Sequence, residues 1–134
     1  MVIDASVAVK WFVPEEYSEK AREILLLRGL AAPELIWAEF GNALLKKMSH
    51  RQLTIVQISE AALNFERIGI RSHPIKPLMA RAAALAVYTR LSIYDAFYLE
   101  LAEKLRCALV TADRKLFEAA KKPDIRGIWI EDLC

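Results

Sequence analysis

Four acidic residues occupy positions from which they could share one chemical task. Asp4 ends the first apolar run, Glu39 interrupts a long apolar stretch, and Asp95 and Asp113 stand where helical patterns begin. No histidine or cysteine adjoins any of them. Carboxylates without softer ligands suit a hard divalent cation such as Mg2+ or Mn2+. The set therefore predicts a metal site of the kind that activates water against a phosphodiester.

Each acid also has an ordinary structural explanation. Asp4, Asp95 and Asp113 fall where a carboxylate can cap a helix or favour its dipole. Glu39 and Asn42 are the polar pair on one face of an apolar helical pattern, and that face could simply meet solvent. Spacing alone does not prove that the four side chains converge.

Length and composition predict one domain spanning residues 1–134. The 134-residue chain can bury a core but leaves little room for a second folding unit. Hydrophobic residues make up 55% of it, yet no uninterrupted apolar run approaches the roughly 18 residues of a membrane helix. The first residues do not resemble a secretory signal, so we expect a cytoplasmic protein with no membrane association.

Cysteine, histidine and net charge indicate no further chemistry. Cys107 and Cys134 form no metal-binding spacing, and we expect both to be reduced. His50 and His73 adjoin no acidic motif, and we assign them no catalytic role. A formal net charge of +2 is too small to indicate nucleic-acid binding by itself, although basic residues could gather on one face.

Short apolar runs alternate with helical patterns along the chain. The predicted strands are 2–4, 30–32, 73–75, 107–111 and 127–130. The predicted helices are 18–27, 34–48, 54–68, 78–90, 93–105 and 114–120, with Thr54 and Ser92 as N-caps. This alternation predicts an α/β sandwich around a mainly parallel sheet, with sites at the carboxyl ends of strands, where Asp4 and Asp113 fall.

Four segments carry a resemblance to a known family. They are Val-Ile-Asp-Ala-Ser at 2–6, Glu39-x-x-Asn42, Ser-Ile-Tyr-Asp-Ala-Phe-Tyr at 92–98, and Leu-Val-Thr-Ala-Asp-Arg-Lys at 109–115. Together they resemble the motifs of PIN-domain nucleases and, within that family, most of all the VapC-type toxins. The four segments occur in order through essentially the whole chain, so their combination indicates the family far more specifically than any single segment does.

The resemblance implies a three-layer α/β/α sandwich with a central, mainly parallel sheet. It implies that Mg2+ or Mn2+ is bound by four acids, which are Asp4, Glu39, Asp95 and Asp113. Ser6, Asn42 and Thr111 match polar positions beside those acids, where they would orient carboxylates or waters. Some relatives carry another acid just beyond the fourth motif, where this chain has basic and apolar residues at 114–116. The resemblance is therefore compatible with a site that binds one metal ion and with a site that binds two.

The activity implied by the resemblance is that of a metal-dependent endoribonuclease, the toxin of a type II toxin–antitoxin pair. Water activated at the acidic site would attack the RNA phosphodiester bond. Six basic residues could lead a phosphate backbone toward the acids, although each could equally be an ordinary solvated charge. They are Lys10, Lys46, Lys47, Arg51, Arg114 and Lys115.

Apolar surface predicts protein partners. The runs 11–13 and 25–27 and the apolar helix 34–48 offer more apolar surface than a small monomer hides easily. The resemblance implies that such surface supports a homodimer and receives a segment of a cognate antitoxin. The aromatic residues lie in helical patterns, where packing is the expected role, and we assign no base-reading residue.

Three other functions are compatible with parts of the pattern. A receiver-like signalling domain also combines an α/β sheet with carboxylates, but the first strand carries no adjacent acidic pair. A Mg-dependent phosphatase could use Asp4 as nucleophile, but no second acid follows two residues later. A non-catalytic nucleic-acid-binding or scaffold domain with the PIN fold would have no need of all four acids.

Overall fold

A computed structural model describes residues 1–133 of the chain. The strands are β1 Val2–Ile3, β2 Ala31–Pro33, β3 Arg71–His73, β4 Leu109–Thr111 and β5 Gly127–Trp129. The helices are α1 Ala5–Ala8, α2 Ser18–Ile24, α3 Ile36–Ser49, α4 Ile55–Arg67, α5 Met79–Thr89, α6 Ile93–Leu105 and α7 Arg114–Ala120. Short 3-10 turns occupy Val9–Trp11, Lys76–Leu78 and Ile130–Asp132. Each predicted strand and helix therefore has a counterpart.

The five strands form one parallel sheet in the order β3-β2-β1-β4-β5. β1 lies in the middle, where Val2 pairs with Ala31 of β2 on one side and with Leu109 of β4 on the other. Helices cover the sheet to give the predicted three-layer α/β/α sandwich. In such a sheet the carboxyl ends of β1 and β4 meet at one edge.

Local capping explains why several helices begin where the sequence predicts. Thr54 forms a reciprocal capping box with Gln57 at the start of α4. The Ser92 hydroxyl accepts a hydrogen bond from the Asp95 N–H at the start of α6, with a separation of 3.1 Å. Gly69, with φ of 76°, follows the end of α4 in the left-handed conformation that suits glycine.

Helix α6 is the central helix of the core. Seven consecutive residues of it, 96–102, are buried. It packs against β1, β2 and β4 on the sheet and against α5 on its other side. A helix enclosed on both sides needs no polar stripe, which explains its apolar sequence. The same burial places Tyr98, which is only 1% exposed, behind the carboxyl edge.

One of the predicted apolar surfaces and one predicted helix boundary differ from expectation. The run 11–13 is not exposed: Trp11 and Val13 are 7% and 3% exposed, and the Trp11 indole N–H donates to the Ala21 carbonyl at 2.7 Å. The run 25–27 lies in a turn beyond the end of α2, so the helix predicted over 18–27 is shorter than expected. Leu26 in that turn is 84% exposed.

The prediction that both cysteines are reduced can be compared with the structure only at Cys107. Cys107 is a half-buried free thiol, whereas Cys134 lies outside the described residues. Among the helices of residues 1–133, none is both long and apolar enough to span a lipid bilayer.

Candidate active site

Two of the predicted acids lie at the carboxyl edge of the sheet because the strands that precede them are neighbours. Ile3 pairs with Val110, so Asp4 after β1 and Asp113 after β4 emerge at the same edge. Each acid also caps the helix that follows it: Asp4 accepts from the Val7 N–H at 3.2 Å, and Asp113 caps α7. The capping interpretation is therefore correct for both, and it is compatible with their convergence.

Two hydroxyl groups hold the Asp4 carboxylate from both sides. Thr111 Oγ1 donates to Oδ2 at 2.5 Å, and Ser6 Oγ donates to Oδ1 at 2.6 Å. Both hydroxyls accept backbone N–H groups in turn, Thr111 from Asp113 and Ser6 from Ala112, each at 2.9 Å. The loop that carries Asp113 thus also orients the donors to Asp4.

Asp4 is poised between its charged and neutral forms. Burial raises the pKa of its carboxyl to about 6, while the hydrogen bonds from Ser6, Thr111 and Val7 oppose that rise and the nearby charge of Asp113 adds to it. Asp4 is only 5% exposed, so water does little to stabilise the anion. A cation at this edge would supply the missing stabilisation.

Glu39 is held by a tyrosine from the helix opposite. The buried Tyr98 hydroxyl on α6 donates to Glu39 Oε1 on α3 at 2.7 Å. Burial raises the pKa of Glu39, the Tyr98 bond opposes the rise, and the charge of Asp95 adds to it. Burial and the charges of Glu39, Asp4 and Asp95 raise the pKa of Tyr98, so its hydroxyl keeps its proton and acts as a donor.

Asp95 connects this pair to the sheet edge. It lies in the first turn of α6, where Ser92 Oγ donates to its Oδ2 at 3.0 Å. Burial raises the pKa of Asp95, the Ser92 bond opposes this, the charge of Asp113 raises it further and that of Lys115 lowers it. Electrostatic coupling therefore runs from Asp4 through Asp113 and Asp95 to Glu39, and the four predicted acids form one electronegative region.

The donor chemistry of this region fits a hydrated hard cation. Its candidate ligands are carboxylate oxygens only, as Mg2+ and Mn2+ prefer. Within residues 1–133, no group of three or more acidic, histidine or cysteine side chains is gathered tightly enough to enclose an ion. Mg2+ does not require such a cage, because it retains several waters and binds proteins through one or two carboxylates.

Asn42 contacts no carboxylate through a hydrogen bond in the described structure, and its role in orienting waters stays a prediction. It is exposed one turn after Glu39, and no hydrogen bond joins its amide to a carboxylate in the described part of the chain. Instead it lines a surface hollow of about 310 Å3 together with Ala38, Glu39 and Tyr94. The predicted role in orienting carboxylates therefore rests on Ser6 and Thr111.

Four of the six predicted basic residues lie away from the acids or are already paired. Lys10 and Lys47 bind the two carboxylate oxygens of Glu15 at 3.0 and 2.7 Å, and Lys10 is only 9% exposed. Glu15 therefore neutralises part of the charge that these two lysines would offer to RNA, and their role in binding RNA stays a prediction. Lys46 is exposed seven residues after Glu39, which is about 10 Å further along α3, and Arg51 lies beyond the end of that helix.

The remaining two basic residues lie at the site. The Arg114 guanidinium stacks over the Trp129 ring at 3.9 Å from its centroid, which fixes its position beside the carboxyl edge. Lys115 is exposed, and its charge lowers the pKa of Asp95, so it faces the acidic region. These are the predicted cations that lie nearest the predicted chemistry.

Tyr98 and Tyr94 are the site residues that sequence reasoning missed. Both lie in the helical pattern 93–105, where aromatic residues are expected to pack. The Tyr98–Glu39 contact joins positions 59 apart, and no local pattern signals it. Tyr94 had one usable signal, because it directly precedes Asp95 in the first turn of the helix.

Comparison with known proteins agrees with the fold and with the family that the motifs predict. Residues 1–122 match the family model described as the PIN domain. VapC ribonuclease Mb0985 of Mycobacterium bovis is 30% identical over 121 residues, covering 90% of this chain and 91% of that protein. Ribonuclease VapC3 of Pyrobaculum aerophilum is 33% identical over 124 residues, covering 88% and 92%. This chain belongs to the PIN domain family, as its motifs predict.

Solved structures share the same fold. The crystal structure of PAE2754 from Pyrobaculum aerophilum superposes with a TM-score of 0.75 at 26% identity, covering 97% of this chain and 90% of that one. A toxin–antitoxin complex from Klebsiella pneumoniae gives a TM-score of 0.60 at 22% identity, covering 87% and 88%. Family membership sets the receiver-like and phosphatase interpretations aside.

Proposed function

We propose that this protein is a metal-dependent endoribonuclease and the toxin of a type II toxin–antitoxin pair. The observation that carries the proposal is the buried Asp4 carboxylate, which two hydroxyls hold and which is coupled to Asp113. Asp113 is in turn coupled to Asp95, and Asp95 to Glu39. Support also comes from relatives that are named ribonucleases and that match this chain over nearly their full length. We expect such a toxin to act in the cytoplasm.

Each residue of the site has a distinct task in this proposal. Asp4 and Asp113 would hold Mg2+ or Mn2+ directly, and Glu39 and Asp95 would complete the site directly or through waters. The bound ion would lower the pKa of a water and offset charge on the scissile phosphate. Ser6 and Thr111 keep the Asp4 oxygens in place, and Tyr98 does the same for Glu39.

RNA is the proposed substrate. An RNA backbone approaching the carboxyl edge meets four acids, so it needs neighbouring cations as well as the metal. Arg114 and Lys115 are exposed at that edge, and stacking on Trp129 keeps the Arg114 guanidinium there. We therefore place the phosphate path along the start of α7 and not along the end of α3.

An antitoxin and a second copy of the chain are the proposed protein partners. Large apolar side chains remain exposed in the described structure, notably Leu26 at 84%, Ile55 at 72% and Val87 at 82%. Surface of this kind is typical of protein interfaces. Light scattering across micromolar concentrations tests the homodimer, and co-purification with the product of a neighbouring gene tests the antitoxin.

The deciding experiment is cleavage of a panel of labelled RNAs in Mg2+, Mn2+ or chelator. The variants are Asp4→Asn and Asp113→Asn, with Asp124→Asn as the matched control, because Asp124 is exposed and takes a left-handed conformation that asparagine tolerates. We expect metal-dependent cutting by the parent and the control and none by the other two. Equal cutting by all four proteins would assign the activity to a contaminant or to another site.

A further inference from the structure

A hollow of about 310 Å3 opens between α3 and α6, directly beside the acidic region. Ala38, Glu39 and Asn42 line it from α3, and Tyr94 lines it from α6. Glu39 belongs both to this hollow and to the acidic site, so the two are continuous. We propose that the hollow receives one unpaired base of the RNA substrate, with Tyr94 as the stacking surface and Asn42 as the group that contacts the base edge.

Tyr94 has the exposure that stacking requires. Its side chain is 59% exposed, whereas Tyr98, one turn later on the same helix, is 1% exposed and bound to Glu39. Within residues 1–133 the Tyr94 hydroxyl has no hydrogen-bond partner and the ring has no aromatic neighbour. An aromatic face left open beside a nuclease site is suited to stacking, because every base presents a π-face.

The charge of the hollow favours a base over a phosphate. Glu39 forms part of its wall, and a phosphate placed there would face a carboxylate across a short distance. The base is the flat and uncharged part of a nucleotide, and it can enter while the backbone remains near Arg114 and Lys115. Ala38 contributes only a methyl group, which leaves the hollow open.

Asn42 supplies the polar contact that a base edge needs. Its amide carries two donors and one acceptor and makes no hydrogen bond in the described structure. An amide can therefore pair with the exposed edge of an unstacked base. Stacking tolerates any base, so discrimination between bases would come from Asn42 and affinity from Tyr94.

The test is a cycle that combines a protein change with a base deletion. Binding of a short fluorescent single-stranded RNA is measured by anisotropy in chelator, which prevents metal-dependent cleavage, alongside copies that each lack one base. Tyr94→Ala should weaken binding by about 5- to 140-fold, the range expected for one base–aromatic stack. At one RNA position, deleting the base should weaken binding to the parent by a similar factor and have little further effect on the variant.

Three matched variants separate a base site from a general surface effect. Tyr88→Ala is the control for Tyr94→Ala, since Tyr88 is 60% exposed at the end of α5 and outside the hollow. Ala38→Leu fills the hollow and should weaken binding, whereas Ala62→Leu makes the same change on an exposed part of α4 and should not. Asn42→Ala should flatten the preference among bases at the coupled position.

The inference rests on the proposed ribonuclease function, but the two can fail separately. If the parent cuts RNA while Tyr94→Ala binds and cuts like the parent, the base site is refuted and the nuclease stands; a protein side chain would then be the better occupant for the hollow. If Tyr94 couples to one base while the parent cuts no RNA with Mg2+ or Mn2+, the base site stands and the nuclease is refuted. Equal losses at every RNA position in both proteins, or no binding by the parent, would also overturn the base site.

Discussion

Replacing Asp4 with asparagine should make the metal-free protein more stable, relative to the parent, as the pH rises through about 6. The pKa of the folded carboxyl is about 6, against an ordinary 3.8, because burial penalises its charged form. The folded state therefore binds this proton more tightly than the unfolded state. The resulting stabilisation is fully present below about pH 3.8 and is lost as the pH rises through about 6.

The magnitude follows from the size of the pKa difference. A difference of about 2 pH units corresponds to about 3 kcal/mol in the free energy of unfolding. Asparagine carries no charge, so it avoids this cost. Its NH2 group replaces an oxygen that accepts a hydroxyl hydrogen bond in the parent, and this change contributes equally at every pH. Between about pH 3.5 and pH 8, the stability of Asp4→Asn relative to the parent should thus rise by about 3 kcal/mol, or about 10 °C in melting temperature for a chain of this length.

The assay is urea unfolding of both proteins in chelator across that pH range. The difference between the two proteins is the informative quantity, because other groups also titrate. Burial raises the pKa values of Glu39 and Asp95 and so gives slopes of the same sign, whereas ion pairing lowers the pKa of Glu15 and gives the opposite sign. These contributions are common to both proteins and largely cancel.

Two results would refute this reasoning. A stability difference that does not change with pH would mean that burial does not destabilise the charged form of Asp4. A difference that falls as the pH rises would mean that the fold prefers the charged form. Saturating Mg2+ supplies an independent check at pH 8. It should raise the melting temperature of the parent and have less effect on Asp4→Asn, since the variant lacks one of the four carboxylates that would pair with the ion.

Three further perturbations follow from the contacts of the site and of the lysine pair. Thr111→Val should raise the pKa of Asp4 further, because it removes a hydrogen bond that stabilises the charged carboxylate; the same pH series measures the rise. Tyr98→Phe should lower the free energy of unfolding by about 1 kcal/mol, and it should reduce RNA cleavage because Glu39 loses the hydrogen bond that holds it. Lowered stability with unchanged cleavage would limit Tyr98 to a packing role. Glu15→Ala should lower the free energy of unfolding by about 1–3 kcal/mol, because it leaves two lysines unpaired. This loss should shrink in acid, since the lowered pKa of Glu15 stabilises the fold above about pH 4.5 and that stabilisation is lost as the pH falls. Urea unfolding at two pH values is the test.

Elements specified by local signals are those that the sequence predicts well. Helix α6 spans 93–105 and α7 spans 114–120, as predicted, because Ser92 and Asp113 cap them through neighbouring N–H groups. The edge position of Asp4 and Asp113 is also predictable, since parallel strands place their carboxyl ends together. The predicted length of α2 is too great, because the apolar residues 25–27 fit a helical pattern although they form a turn.

Contacts between distant segments could not be predicted in this way. Glu15 attracts Lys10 and Lys47 from two different helical segments, and nothing in the spacing of those lysines distinguishes them from free surface charges. The burial of Trp11 likewise depends on the Ala21 carbonyl, which only the folded chain brings near. Such contacts arise from tertiary packing, which periodicity and capping do not encode.

The central position of β1 has a consequence for folding of the protein. One of the two edges of β1 pairs with β4, and Thr111 reaches Asp4 across 107 positions of sequence. Contacts this distant form late, because the whole intervening chain must be ordered around them. A chain in which β4 has not yet joined β1 therefore lacks both Asp113 and the Thr111 hydroxyl at the Asp4 edge. The topology ties assembly of the acidic site to completion of the central sheet, so a partly folded chain cannot present the site.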